Sequence, residues 1–253
     1  MHELLSPAAA TLHAPSTKEM GRRALVTAIG FALYGFTVGY WRSPMMGVFV
    51  ALKMPLLIAL TLGCNGMLNG LLGLLLGSGL GFRQSLHALL SAFAISGLIL
   101  GAVAPVTFFL AVNVPSADSP QAASAHSAYL LTHVLMIGMA GLTGVVRLGK
   151  LLRSYCASPV AARTTLAAWI GGNAILGMQF SWILRPFFGS PTLEVAFLRE
   201  NPMRGSFFEA VWSSLKRIAR EIPPEGLIGI AGGGAVTLIL IYQIRNEQKK
   251  RKP

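Results

Sequence analysis

Acidic residues are scarce in this sequence, and cysteines are scarcer. Of 253 residues, nine are Asp or Glu and two are Cys. Two cysteines exclude a metal site built from four cysteines and argue against a disulfide-rich scaffold. No acidic residue falls inside an apolar run, so the sequence lacks the buried carboxylate typical of proton-coupled carriers. Motifs of the His-Glu-x-x-His, Gly-x-Ser-x-Gly and Walker types are also absent. We therefore expect no enzymatic activity, no cofactor and no metal.

Apolar residues dominate what is present. Hydrophobic residues make up 53% of the chain, the mean hydropathy is +0.61, and the net charge is +12. This composition is too apolar for a water-soluble domain of this length. On such a chain, basic charge is typical of cytoplasmic loops and of contact with anionic lipid. We expect membrane lipids as partners and no nucleic acid.

Six apolar runs are long enough to cross a bilayer as helices, which takes roughly 20 residues each. They cover residues 24–40, 54–77, 86–112, 128–146, 164–183 and 225–244. The predicted fold is all-α: a polytopic transmembrane helical bundle of about six spans, with one or two interfacial amphipathic helices. The predicted segments are a cytoplasmic tail (1–23), a five-span bundle (24–183), an extracytoplasmic or interfacial segment (184–224), and a sixth span with a basic cytoplasmic tail (225–253).

Residues 41–53, before the second span, contain a helix start of their own. Ser43 is a predicted N-cap, and Pro44 suits the first helical position. A single helix over residues 44–77 would extend about 51 Å, well beyond a hydrocarbon core of about 30 Å. We therefore expect Pro55 to divide the run, with a short interfacial helix ending near Lys53. The alternative is an N-terminal extension of span two, broken at Pro55.

The distribution of Lys and Arg predicts the orientation in the membrane. With the N-terminus inside, 13 of the 21 Lys and Arg residues fall on the inner side, and the loop 113–127 has none. Positive charge is enriched on the cytoplasmic side of membrane proteins. The sequence also lacks a signal-peptide cleavage site after the first apolar run. We expect a multi-pass protein of the bacterial inner membrane with both termini in the cytoplasm.

A few polar side chains lie inside the predicted spans. Asn65 and Asn69 share one helical face, among glycines spaced for close helix packing. We favour carboxamides that pack between helices over a polar lining of a permeation path. His133 is interpreted as a packing or interface residue, with a proton relay or metal ligand as the alternative, and His87 is expected at headgroup level. The candidate lining or packing residues are Asn65, Asn69, His133, Asn173 and Gln179.

The segment after the fifth span is rich in aromatic and basic residues. Arg185, Phe187 and Phe188 predict either a simple membrane-exit turn or a contact with lipid headgroups or a partner. Residues 206–220 predict an amphipathic helix that starts with a capping box. This helix is expected to lie on anionic lipid, or alternatively to bind a soluble partner. The candidate contacts on the helix are Trp212, Lys216, Arg217 and Arg220.

Several motifs together resemble a family of uncharacterised bacterial multispan membrane proteins, over about residues 41–215. This family is distantly similar to the Yip (Ypt-interacting protein) family. The motifs are the Lys-Met-Pro run at 53–55, Phe-Arg-Gln at 82–84, the end of the third span at 104–109 and Arg-Pro-Phe-Phe-Gly-Ser-Pro at 185–191. The resemblance implies a bundle of about five helices without catalytic residues. The chain departs from the Yip pattern by its sixth predicted span and the long segment 184–224.

Two functions are consistent with these features. The first is a non-enzymatic integral membrane scaffold, accessory subunit or lipid-organising protein, with a membrane-protein partner or a second copy of the chain. The alternative is a small-molecule or ion transporter or channel subunit. The environment of Asn65 and Asn69 discriminates between them, because a lining residue contacts water and a packing residue does not.

The predicted topology can be tested with reporter fusions. A fusion after Pro253 should give a cytoplasmic signal, and a fusion at Ser119 should give a periplasmic one, because Lys and Arg are enriched on the side of the termini. A periplasmic signal after Pro253, or a cytoplasmic one at Ser119, would overturn the six-span topology.

Overall fold

A computed structural model describes residues 16–189, 194–209 and 212, and the regular structure in these ranges is helical. Predicting an all-α fold is therefore correct for the described residues. Five helices follow one another along the chain: α1 Thr17–Tyr40, α2 Pro44–Leu75, α3 Phe82–Asn113, α4 Ala122–Tyr155 and α5 Pro159–Ile183. Helix α1 packs most extensively against α2 and α3, while α4 contacts α3 and α5.

Four of these helices have segments long and apolar enough to cross a membrane: Thr17–Tyr40, Pro44–Leu75, Phe82–Asn113 and Ala128–Tyr155. The chain is thus a multi-pass helical membrane protein. The predicted fifth span forms α5, which has 25 residues but is not among the four helices that are apolar enough. Its crossing of the membrane stays a prediction. The predicted sixth span, 225–244, lies outside the described residues.

Helix α2 differs from the predicted arrangement. Its start agrees: Ser43 Oγ accepts a hydrogen bond from the Met46 amide at 3.0 Å, and Pro44 is the first helical residue. The helix then continues through Pro55 to Leu75, over 32 residues. The predicted division at Pro55, with a separate interfacial helix, is wrong. Proline inside a membrane helix is tolerated when neighbouring helices surround it, and here the first turns of α2 pack against α1.

Glycines allow α1 to lie very close to its neighbours. A Cβ at Gly35 would lie 2.7 Å from the Val50 carbonyl oxygen of α2, and one at Gly30 would overlap the backbone of Gly97 in α3. Helices in lipid associate through such close van der Waals contacts, since lipid chains are as apolar as the side chains. Residues 44–53 are therefore part of the bundle.

The N-terminal end of α1 also extends further than expected. The helix begins at Thr17, so residues 17–23 of the predicted tail are helical, and Arg23 is buried. His87 of α3 is also buried, with 0% of its surface exposed. The bundle therefore encloses this side chain, and its position at headgroup level stays a prediction.

The turn between α2 and α3 confirms the packing role of the α2 glycines. A Cβ at Gly70 would lie 2.9 Å from Phe82 Cα, and one at Gly73 would lie 2.9 Å from the Leu80 carbonyl oxygen. Ser78 Oγ donates a hydrogen bond to the Gly73 carbonyl at 2.6 Å and accepts one from the Leu80 amide at 3.2 Å. The last turns of α2 are therefore held against the start of α3.

We predict that Gly70→Leu and Gly73→Leu each lower the melting temperature of the detergent-solubilised protein. The added side chains would push α3 away, and overpacking of this kind typically costs about 1–3 kcal/mol. Gly171→Leu on α5 is the matched control, because no described residue lies within 4 Å of a Cβ at Gly171. Equal melting temperatures for all three variants would show that close packing at this face contributes nothing.

Candidate functional site

A lysine lies buried in the first third of the apolar helix α2. Lys53 has 0% of its surface exposed, and its Nζ donates a hydrogen bond to the Pro186 carbonyl oxygen at 2.8 Å. The ammonium also lies 5.0 Å from the ring centroid of Phe197 and 5.9 Å from that of Phe187. A buried cation in an apolar helix is expensive unless it is paired, and a carbonyl with two aromatic faces stabilises it. Lys53 therefore fastens the segment after α5 to α2.

This contact changes the interpretation of the segment after α5. Phe187 and Phe188 are half-buried and pack against the hydrophobic core formed by α1, α2, α3 and α4. Their predicted contact with headgroups or a partner is not supported, because their rings face the bundle. Gly189 completes the turn with a φ of +70°, which favours glycine, and a Cβ there would lie 2.8 Å from the side chain of Arg42.

Arg185 stays at the surface of this segment. Its guanidinium lies 3.7 Å from the ring centroid of Trp182, and its Nη1 donates a hydrogen bond to the Trp182 carbonyl at 2.6 Å. Burial, and secondarily the charge of Arg199, lower the pKa of Arg185. An arginine stays cationic at neutral pH despite such a shift. Arg185 is therefore the residue of the predicted aromatic and basic cluster that still fits a contact with an anion.

Five aromatic side chains form a cluster at this end of the bundle, which we call the aromatic cap: Tyr34, Trp41, Tyr129, His133 and Phe188. The Tyr34 hydroxyl and His133 Nδ1 are 2.7 Å apart, and the Tyr129 hydroxyl donates to the Thr37 carbonyl at 2.7 Å. The His133 ring lies 4.3 Å from that of Tyr129 and 5.9 Å from that of Phe188. The cap joins α1, α4 and the segment after α5.

Other polar groups extend this network to α3. Thr37 Oγ1 and Thr107 Oγ1 are 2.7 Å apart, and Trp41 Nε1 donates to the Pro115 carbonyl at 3.0 Å. Burial lowers the pKa of His126, whose ring lies 5.3 Å from that of Trp41. The hydrogen bonds of Thr37 and Trp41 therefore join the C-terminal end of α1 to α3 and to the loop that follows α3.

Asn65 and Asn69 are buried, with 1% and 0% of their surfaces exposed. A Cβ at Gly172 of α5 would lie 2.8 Å from Asn65 Oδ1, so Asn65 packs directly on the glycine face of α5. This environment favours a carboxamide packed between helices over a polar lining of a permeation path. Within the described residues, neither carboxamide has a hydrogen-bond partner.

The remaining candidates are not gathered into one site with these two. Asn173 Nδ2 donates to the Trp169 carbonyl of its own helix at 2.8 Å, and Gln179 is half-buried. His133 belongs to the aromatic cap, with Tyr34 as its hydrogen-bond partner. The predicted packing role of His133 agrees with these contacts. Among the described residues, no three His, Cys, Asp or Glu side chains are grouped so that they could hold a metal ion.

The predicted amphipathic helix is described only at its start. Ser206 Oγ accepts a hydrogen bond from the Glu209 amide at 3.1 Å, which is one half of the predicted capping box. Trp212 is helical, with 60% of its surface exposed. Lys216, Arg217 and Arg220 lie outside the described residues, so their contact with lipid stays a prediction.

Sequence reasoning missed the residues that organise the cap. Lys53 was expected at the interface, and Tyr34 and Tyr129 were not singled out. One signal was available for Lys53: it is the only charge in the apolar run 44–77. Tyrosines that join two helices carry no such local signal.

Comparisons with protein-family models, with curated proteins and with solved structures give no match. The proposals below therefore depend on the geometry of this chain.

We predict that Tyr34 and His133 are energetically coupled. Tyr34→Phe leaves His133 Nδ1 buried without its hydrogen-bond partner. His133→Leu likewise leaves the Tyr34 hydroxyl buried without its hydrogen-bond partner. In a double-mutant cycle of unfolding in bicelles, a bond of this kind between membrane helices gives a coupling of about 0.6 to 1.7 kcal/mol.

Thr132→Val is the matched control, because the exposed Thr132 hydroxyl donates only to the Ala128 carbonyl of its own helix. Its coupling to Tyr34→Phe should be close to zero. If Tyr34 and His133 prove equally uncoupled, their hydrogen bond does not stabilise the bundle.

Proposed function

We propose that this protein is a non-enzymatic integral membrane scaffold or accessory subunit of the bacterial inner membrane, with both termini in the cytoplasm. The observation that carries the proposal is that several interior polar side chains form hydrogen bonds between elements of the fold. Lys53, Tyr34, Tyr129 and Thr37 each hydrogen-bond to a different element of the fold. Polar groups whose hydrogen bonds are made within the protein stabilise a fixed arrangement of helices.

The contact of Asn65 with Gly172 supports the same proposal. A carboxamide in direct contact with a glycine face leaves no room for a solute at that point. The resemblance to multispan proteins without enzymatic activity points in the same direction. A lipid-organising role is a further form of this function.

The surface of α4 offers a place for a partner. Its bilayer segment is the least covered of the four candidate spans. Leu135, Met139 and Leu142 are each at least 60% exposed, and none of the described residues lies within 4 Å of a Cβ at Gly138 or Gly141. Small residues beside large apolar ones suit the close approach of another membrane helix. A membrane-protein partner or a second copy of the chain therefore fits this surface.

One observation favours the alternative, a subunit of a transporter or channel. Buried polar groups in proteins usually have hydrogen-bond partners, yet both carboxamides of Asn65 and Asn69 lack one within the described residues. Water or a permeating solute would supply such partners. The two functions therefore differ in whether water reaches these side chains.

Cysteine labelling measures that difference. We predict that Asn65→Cys and Asn69→Cys, in a background with Cys64→Ala and Cys156→Ala, do not react with a water-soluble maleimide in native membranes. Both should react after unfolding in SDS. Asp118→Cys, an exposed position in the loop between α3 and α4, should react in both states.

Leu71→Cys controls for exposure to lipid, since Leu71 lies on the same helix with 62% of its surface exposed. It should stay unreactive in native membranes. Rapid labelling at 65 and 69, with Leu71→Cys unreactive, would overturn the scaffold function and favour a water-accessible path.

A further inference from the structure

A large groove opens between α1, α2 and α3, at the end of the bundle opposite the aromatic cap. Its volume is about 940 Å³, within the range of roughly 300–1,000 Å³ typical of ligand pockets. Most of the lining is apolar: Met20, Ala24 and Ala28 of α1, and Leu56, Ala59 and Leu62 of α2. Neither the scaffold nor the transport function uses this groove.

The groove exists because α1 and α2 diverge. Near the aromatic cap the two helices are in contact, and a Cβ at Gly35 would lie 2.7 Å from the Val50 carbonyl oxygen. Towards the N-terminus of α1, no atom of the part of the chain that the structure describes lies within 4 Å of a Cβ at Gly21 or at Gly63. Gly21 and Gly63 both line the groove. Open space therefore separates the helices in one half of the bundle.

The mouth of the groove carries positive charge. Arg83, at the start of α3, lines it and donates a hydrogen bond from Nη2 to Thr17 Oγ1 at 2.8 Å. The N-termini of α1 and α3 therefore meet at the mouth, and helix N-termini favour anions. No acidic side chain of the described residues is among those lining the groove. The charge of the mouth is therefore suited to binding an anion.

The depth of the groove matches one leaflet of a bilayer. Its lining on α1 extends from Thr17 to Ala28, about 16 Å along a helix axis. Half of a hydrocarbon core is about 15 Å. The groove thus begins at a cation and extends over a length close to that of one leaflet.

We propose that this groove binds an anionic phospholipid, with its phosphate at Arg83 and Thr17 and an acyl chain between α1 and α2. The apolar walls take the chain, and the cationic mouth selects a negative headgroup. The predicted orientation puts this lipid in the cytoplasmic leaflet, whose anionic lipids attract basic groups close to the membrane.

Native mass spectrometry of the full chain in a neutral detergent tests the proposal, with phosphatidylglycerol and phosphatidylcholine as probes. Wild-type protein should retain one phosphatidylglycerol and bind it more tightly than phosphatidylcholine. Arg83→Gln should weaken the binding of phosphatidylglycerol about fivefold, which corresponds to about 1 kcal/mol for one basic residue near an anionic lipid. The variant should leave the binding of phosphatidylcholine unchanged.

Gly63→Leu tests the chain portion separately. Its side chain enters open space, so the protein should fold normally while both lipids bind more weakly. The matched controls are Arg153→Gln, an exposed arginine near the end of α4, and Gly171→Leu, an open glycine on α5. Neither control should change lipid binding.

Thermal unfolding with added lipid gives a second readout. Phosphatidylglycerol should raise the melting temperature of wild type more than that of Arg83→Gln or Gly63→Leu, and inorganic phosphate should have no effect. Equal stabilisation by phosphate would overturn the acyl-chain part of the proposal. Unchanged lipid retention in both variants, or a lipid that is replaced by a second copy of the chain as protein concentration rises, would overturn the site.

Discussion

The close approach of α1 to α2 and α3 is the constraint on which the rest of this structure depends. Gly30 lies against the backbone of Gly97, and Gly35 lies against Val50. Lipid provides no hydrophobic force to drive helices together, so backbone proximity and interhelical hydrogen bonds supply the attraction. The contact of Thr37 with Thr107 needs the short separation of α1 and α3 that Gly30 and Gly97 allow, and the contact of Tyr34 with His133 then joins α4 to α1.

Lys53 illustrates how the bundle accommodates a charge at depth. A lysine in an apolar helix is costly, and three groups from the segment after α5 surround its ammonium: the Pro186 carbonyl and the rings of Phe187 and Phe197. The same contacts bring Phe188 to the His133 ring. The aromatic cap and the buried lysine are therefore neighbours, and both depend on residues that follow α5.

The two ends of the bundle consequently differ. At the aromatic cap, side chains and glycines hold α1, α2 and α4 together. At the other end, α1 and α2 separate, and the space between them is apolar with Arg83 at its mouth. A bundle that is closed at one end and open at the other is the arrangement that the proposed lipid site requires.

The sequence alone determined the multi-pass membrane character, the all-α class of the described residues and the start of α2. These follow from local properties: runs of apolar residues, the Ser43 cap with Pro44, and the glycine spacing of α2. The tertiary structure alone decided that α2 continues through Pro55, that Lys53 and His87 are buried, and that Phe188 faces the core. Each of these outcomes depends on atoms from distant parts of the chain, because the energy of a proline, a charge or an aromatic ring in a membrane is set by the neighbours that surround it.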